Sequence, residues 1–582
     1  MSSFLALKAS RQARQRTLAS QASQLPISTT SQKDIAVEEA QIPESEVDKN
    51  DLNREIYGED LGDLVVRSTE DRGRGLYVPP SRSCKAGSSL LQVKPVVSVL
   101  STPHLSKRCS TCFLSPSELS IATNSPPPTL KRCTGCKVLH YCSATCQKVD
   151  WEIHAFECRA LRRTFDMWRS TYPTKKDDGS WIMKEGIRAL GRICWKRQKM
   201  DKAWWEPISR MESHRSKFTE EEYIGTSQLV QLLLHYLSAS EPPKAGSRDL
   251  LHPADPKDYG FDNLGDTLDL CSAFAVNSFT LSSPSLSPIG VSTSPIVALC
   301  NHSCQPNAVV VFPGLVGGEM NVVAIRDLAP GEEILTSYID VSIPFADRQL
   351  DLSKRYGFTC QCQLCRQSED MAWVDPRWCV RHVGCRVDGK GRMPNLTING
   401  DGGTTCDACR ELFQVDTSLI RGAINMGKGL LSEDEEGELG AADLPKIVSI
   451  LKPLLHLLPA SSYPNLPLLQ LSSLISPPPT SLLALNHSTQ TSRSIYDASV
   501  QVFPAGHPNL AVILAQWAKI SAVEITDIPT KEEMRRLQGT VETAGLAWKA
   551  ARRGFGEAGG LLGVEMKRLG EGCQRELEIL GQ

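Results

Sequence analysis

Between residues 109 and 158 the chain carries Cys109-x2-Cys112, Cys133-x2-Cys136, Cys142-x3-Cys146 and His154-x3-Cys158, and no other stretch restricts its folding as tightly. A pair separated by two or three residues puts two ligand atoms on one turn, within reach of an ion whose bonds to sulfur are about 2.3 Å. Eight thiolate and imidazole ligands are enough for two closed tetrahedral sites, and zinc is the ion such a set takes in structural positions. Four such pairs in one short segment favour metal over eight unrelated core residues.

The 20 cysteines of the chain matter because of where it is expected to reside. No apolar run approaches the about 18 residues of a membrane span, and the N-terminus lacks the apolar centre of a secretory signal. An intracellular protein, cytoplasmic or nuclear and without a membrane partner, is therefore expected, and reducing compartments disfavour disulfides. Lys8, Arg11, Arg14 and Arg16 precede the first acidic residue, Asp34. Residues 1–60 are read as a disordered tail, with a mitochondrial transit peptide as the minor alternative. A formal charge of -2 gives no global case for nucleic-acid binding. A length of 582 residues exceeds what one core organises and implies about three or more packed units.

Short β-prone pieces occur at Leu64-Val65-Val66, Gly75-Leu76-Tyr77-Val78, Ser89-Leu90-Leu91 and Val96-Val97, and again at Val309-Val310-Val311 and Val322-Val323-Ala324-Ile325. Residues 160 to about 240 read as helical, as do Leu444 to Leu458 and Leu510 to Ile525. Pro/Ser-rich stretches at 115–129, 282–295 and 472–493 are read as loops or insertions. Residues 433–437 are read as a solvated charged loop.

Four further pieces share one chemistry. Arg72-Gly73-Arg74-Gly75-Leu76 places two glycines between strand-like segments, where a missing side chain lets backbone approach a ligand. The others are Asn301-His302-Ser303-Cys304; Gly331-Glu332-Glu333-Ile334-Leu335 leading to Ser337-Tyr338; and Tyr356-Gly357-Phe358-Thr359-Cys360-Gln361-Cys362-Gln363-Leu364-Cys365. In order and spacing they resemble the SET methyltransferases, and specifically the SET-and-MYND branch, in which a MYND finger interrupts the SET domain. The finger resemblance extends to Tyr141-Cys142 and to the Gln147–Trp151 stretch. The loop between Cys112 and Cys133 is longer than usual for that family.

The resemblance implies an α+β protein: a β-rich SET core split by an inserted MYND zinc finger and helical segment, with a helical, TPR-like C-terminal lobe. Its expected parts are 61–108 and 271–345 for the SET core, 109–158 for the finger, 159–270 for the helical insert, 346–366 for a post-SET zinc segment, and 367–582 for the C-terminal region. It implies methyl transfer from S-adenosylmethionine to protein lysines. Arg72, Gly73, Arg74, Gly75, Asn301, His302, Tyr338 and Phe358 would hold the cofactor. Tyr338 would orient methyl and amine, while Phe279 and Tyr356 would wall the lysine channel.

The resemblance also implies interleaved ligation in the finger, with Cys109, Cys112, Cys142 and Cys146 on one zinc and Cys133, Cys136, His154 and Cys158 on a second. Cys360, Cys362 and Cys365 would share a third zinc with Cys304. The partners implied are a protein substrate and, at the finger, a Pro-rich peptide, with the chain acting as a monomer. The alternative is a zinc-dependent adaptor on an inactive SET scaffold.

Two features lie beyond these motifs. Cys379-x5-Cys385 and Cys406-x2-Cys409 have the content of a zinc ribbon and leave two readings open, a fourth zinc or two pairs of buried thiols. His507, in Phe503-Pro504-Ala505-Gly506-His507-Pro508, is read as a loop residue rather than a ligand.

Overall fold

The computed structural model describes residues 56–581 except 242–251, 316, 370–372, 383–384, 386, 388–391, 395–402, 407, 415, 436–438 and 526–529. It is α+β. Strands β1 (Val65–Thr69) and β2 (Gly73–Tyr77) form an antiparallel hairpin, and β3 (Ser89–Val93) and β4 (Val97–Leu100) follow. The finger then carries α1 (Pro116–Thr123), β5 (Lys131–Arg132), β6 (His140–Tyr141) and α2 (Ala144–Thr171). Helices α3 (Glu185–Arg197), α4 (Lys202–Ser209), α5 (Glu220–Ser238) and α6 (Leu264–Asn277) complete the insert.

The core resumes with β7 (Ser278–Ser282), β8 (Pro288–Thr293), β9 (Asn301–His302), β10 (Ala308–Val311), β11 (Met320–Ala324) and β12 (Leu335–Thr336). Strands from either side of the insertion pair with each other: β3 with β11, in the order β10-β11-β3, and β4 with β8, in the order β4-β8-β7. The split core is therefore one hydrogen-bonded unit. Every residue of β8 and of β11 is buried, as β-branched runs covered on both faces require.

Helix α2 runs 28 residues without a break from the finger into the insert, crossing the expected boundary at 158. The Ser143 side chain caps it by accepting from the Cys146 N–H. Within it the fully buried Glu157 accepts from Arg188 Nε at 2.8 Å and Arg192 Nε at 2.8 Å, and Arg188 also donates to the Leu100 carbonyl at 2.9 Å. Burial alone would raise the Glu157 pKa, but Arg192 and Arg188 hold it well below the carboxylate range. One carboxylate thus locks finger, insert and SET core together. Removing it would strand two buried guanidiniums.

Beyond the core lie α7 (Phe345–Tyr356) and α8 (Gln363–Glu369), then the hairpins β13 (Cys379–Arg381) with β14 (Arg392–Pro394) and β15 (Gly403–Thr405) with β16 (Leu412–Gln414). Helices α9 (Thr417–Glu435), α10 (Leu444–Leu457), α11 (Asn465–Ile475), α12 (Leu482–Ser499), α13 (Pro508–Ser521), α14 (Thr530–Gly554) and α15 (Gly560–Leu580) build the C-terminal lobe, consecutive helices packing on one another. Its α13–α15 end shares a core with Val309, Val311, Val323 and Ile325 of the SET strands. Among the described residues no helix is long and apolar enough to cross a membrane.

Several expectations are corrected. The 115–129 stretch contains α1, because Ser115 and Glu118 form a reciprocal capping box. The 282–295 stretch contains the buried β8, and 472–493 contains most of α12, capped by Ser481. Helix α9 continues to Glu435, so 433–435 is helical rather than a loop, and 436–438 lie outside the described residues. Of the expected tail, 1–55 lie outside the described residues, whereas Ile56 and Tyr57 are buried in the SET core.

Candidate active site and metal centres

A tetrahedral zinc with bonds of about 2.3 Å to sulfur and about 2.0–2.1 Å to nitrogen sets its ligand atoms about 3.7 Å apart for sulfur pairs and about 3.5 Å for sulfur–nitrogen pairs. In the finger, Cys112 and Cys142 stand 3.8 Å apart, Cys142 and Cys146 3.5 Å, Cys133 and Cys158 3.8 Å, and Cys136 Sγ and His154 Nε2 3.6 Å. The structure groups Cys109, Cys112, Cys142 and Cys146 as one set and Cys133, Cys136, His154 and Cys158 as another. Glu157 reaches His154 Nδ1 at 3.4 Å, and such a carboxylate orients a ligating imidazole through its second nitrogen.

A third set joins Cys304, from the turn after β9, to Cys360, Cys362 and Cys365. Cys365 and Cys304 are 3.5 Å apart. All three sets have the donors and spacing of closed structural zinc sites.

The fourth set differs from expectation. His382, Cys385, Cys406 and Cys409 converge with their ligand atoms within 4.8 Å of one another. Cys379 is not among them: it lies on β13 with its Sγ 3.8 Å from the Pro376 carbonyl. Loose spacing could not tell which residue after the strand turns back toward the second pair.

Next to the third set a cavity of about 2050 Å³ opens along the SET core. It is lined by Arg72, Gly73, Arg74, Asn301, His302 and Phe358, and also by Tyr338, Tyr356 and Phe279. The two-residue strands β9 and β12 run parallel and in register, Asn301 beside Leu335 and His302 beside Thr336, which brings the second and third motifs together. The Tyr338 N–H donates to His302 Nδ1 at 3.0 Å, and the Tyr338 hydroxyl donates to the Cys300 carbonyl at 2.8 Å. Tyr338 and Tyr356 have ring centroids 4.9 Å apart, and Phe358 lies 5.9 Å from the His302 ring. Burial, aided by the nearby Cys300, Tyr356 and Glu333, raises the Tyr338 pKa above its ordinary value, so the phenol stays protonated at any working pH.

At the glycine-rich strand, Asn301 Nδ2 donates to the Arg74 carbonyl at 3.2 Å and to Glu333 Oε1 at 2.8 Å, while Arg72 pairs with Glu333 at 3.0 Å. Gly73 has φ +70 with nothing within 4 Å of where a Cβ would stand, so its backbone faces open cavity. Gly75 does not line the cavity. A Cβ there would meet Glu333 Oε1 at 2.8 Å and Asn301 Nδ2 at 2.9 Å, so this glycine makes room for the pair that closes the site. Gly75→Ala is accordingly expected to cost about 1–3 kcal/mol, read as a lower denaturation midpoint. An unchanged midpoint would show that the pair moves aside freely.

Several lining residues had no local signal in the sequence. Tyr57, accepting from Arg74 at 3.1 Å, comes from the segment read as tail. His214 and Arg210 come from the insert, and Phe503, Pro504 and His507 from the C-terminal lobe. His507 caps α13, accepting from the Asn509 N–H at 3.3 Å, and burial holds its pKa at about 3.

The sequence pattern of the MYND finger matches residues 109–158 and that of the SET domain residues 137–339. Together the two matches put a MYND-finger pattern and a SET-domain pattern in one chain, a combination similar to that of the SET-and-MYND proteins. It is similar to N-lysine methyltransferase SMYD2 of Homo sapiens, with 29% identity over 55% of this chain and 65% of that protein. It is also similar to Histone-lysine N-methyltransferase SMYD3 of Homo sapiens (30% identity, 52% of this chain and 61% of that one). Histone-lysine N-methyltransferase ASHR1 of Arabidopsis thaliana is 28% identical over 54% and 57%. The chain spans less than two thirds of the length of each of these relatives.

Proposed function

We propose that this chain transfers methyl groups from S-adenosylmethionine to lysine side chains of proteins, histone or other. The observation that carries this reading is the single cavity that runs from the open backbone of Gly73 and the Asn301 amide to the Tyr338–Tyr356 pair and Phe279. The residues fit the cofactor: exposed backbone and an amide for its polar end, and the Phe358 ring as a flat apolar platform for its base. When bound, S-adenosylmethionine supplies an electrophilic methyl on a positively charged sulfur.

The rest of the work falls to the protein. Phe279 and Tyr356 exclude water from the lysine stem, and Tyr338 orients the reacting groups. With its proton committed to the Cys300 carbonyl, the Tyr338 oxygen keeps acceptor capacity toward the polarised methyl and the amine. The walls of the cavity would hold the neutral lysine amine in line with that methyl, Tyr338 and Tyr356 fixing its approach, and the amine's surplus proton would leave to solvent. Positioning supplies most of the rate.

The finger would dock protein partners, a Pro-rich peptide among them, beside its half-exposed Trp151 and Val149. A monomer acting in cytoplasm or nucleus suits such substrates. The test is incubation of the zinc-replete chain with isotope-labelled cofactor and cell extract, followed by mapping of modified lysines, with calorimetry of cofactor binding in parallel. Labelled lysines and saturable binding are expected. Absence of both would favour an adaptor on an inactive scaffold.

A further inference from the structure

We propose that His382, Cys385, Cys406 and Cys409 form a fourth structural zinc site, a ribbon that fastens the C-terminal lobe to the SET core beside the cavity. The site is independent of the finger and of the post-SET set, and three observations carry it.

The first is distance. Cys385 and Cys406 Sγ stand 3.8 Å apart, and Cys409 Sγ stands 3.5 Å from His382 Nδ1. These match the about 3.7 Å and about 3.5 Å edges of a zinc tetrahedron with three sulfurs and one nitrogen. They also match the finger, where the corresponding pairs are 3.8 Å and 3.6 Å.

The second is backbone. In the finger, each Cys-x2-Cys pair closes a knuckle in which the residue after the second cysteine is left-handed and donates its N–H to the carbonyl of the first. Phe113 (φ 64) donates to Cys109 at 2.9 Å, and Lys137 (φ 59) donates to Cys133 at 3.0 Å. Arg410 (φ 60) donates to Cys406 at 3.1 Å. The same turn recurs in the ribbon on a non-glycine residue that rarely adopts this conformation. A pair of buried free thiols has no need of that turn. A metal-binding pair does, because the turn brings both sulfurs to one point.

The third is placement. His382 and Cys406 are almost wholly buried, at 1% and 0% exposure, although the strands around them are only three residues long. Hairpins of that size bury too little apolar surface to hold a fold alone, and a metal is the usual staple. Just before the ribbon, Arg377 donates to the Val341 carbonyl at 2.7 Å and to the Val502 carbonyl, and its own carbonyl accepts from Tyr463 at 2.8 Å. Val341 lies three residues after Tyr338, and Val502 directly precedes Phe503 in the cavity wall. A metal-closed ribbon would keep this bridge between core and lobe in place.

Metal analysis of the purified full-length chain and four variants tests the proposal. About four zinc ions per chain are expected for the parent, falling to about three in Cys406→Ser and His382→Ala. Cys379→Ser should keep about four, and so should His382→Cys, which exchanges one usual zinc ligand for another. A parent holding three zinc ions would overturn the proposal, as would a Cys379→Ser variant that loses one. If Cys406→Ser or His382→Ala does not fold, the parent count with the Cys379→Ser and His382→Cys counts still decides.

Discussion

Tyr338→Phe is expected to lower methyl-transfer turnover by about 10²–10³ while leaving cofactor affinity within a few-fold of the parent. The substitution removes one oxygen and keeps the ring, so the packing of Tyr338 on Tyr356 and His302 should survive. The lost hydroxyl also frees the Cys300 carbonyl of its donor at 2.8 Å. An interaction stronger in the transition state than in the ground state appears in turnover, whereas uniform binding appears in the Michaelis constant. Because burial keeps the phenol protonated, the pH profile should keep its shape in the variant, any rise with pH belonging to deprotonation of the substrate amine. Single-turnover kinetics with a peptide substrate would measure this. Full turnover in the variant would reduce Tyr338 to a packing residue and leave the SET fold standing.

The second large effect is expected at the post-SET zinc. Cys362→Ser should remove about one zinc ion per chain and weaken S-adenosylmethionine binding by about tenfold or more, since closing a structural zinc site releases free energy of order 10 kcal/mol in small domains. The loss should be local. Cys304, Cys360 and Cys365 would no longer be tied to one point, and Phe358, two residues before Cys360, would lose its fixed place 5.9 Å from the His302 ring. Zinc analysis with calorimetry separates this from general unfolding, because both finger sites should keep their ions. Unchanged zinc and unchanged affinity together would disprove the shared site.

How far the sequence could carry these conclusions depended on how local each determinant is. Paired cysteines three or four positions apart are brought together by one turn of backbone, so the eight finger ligands could be read directly. Val309–Val311 and Val322–Ile325 could be read as strands because β-branched runs favour a pleated, buried surface. The Pro/Ser stretch at 282–295 misled for the converse reason. Its β8 is held by β4 and β7 on both edges, and Ser292 is buried with its hydroxyl 2.8 Å from that of Ser98. A partner strand from roughly 190 positions earlier, β4, outweighs a local composition that favours loops.

By itself, then, the sequence determined the eight paired ligands of the finger and the β-branched strands of the core, which follow from residue type and short spacing, while the common role of the four motifs came from their resemblance to the SET methyltransferases. Only the tertiary structure decided that His382, rather than Cys379, completes the ribbon set, since that depends on how β13 leaves its hairpin. It also decided that Tyr57 and Phe503 line the same cavity as Asn301. Residues hundreds of positions apart meet there because insert and lobe fold back on the split core, and short-range propensity carries no record of which surfaces will close upon each other.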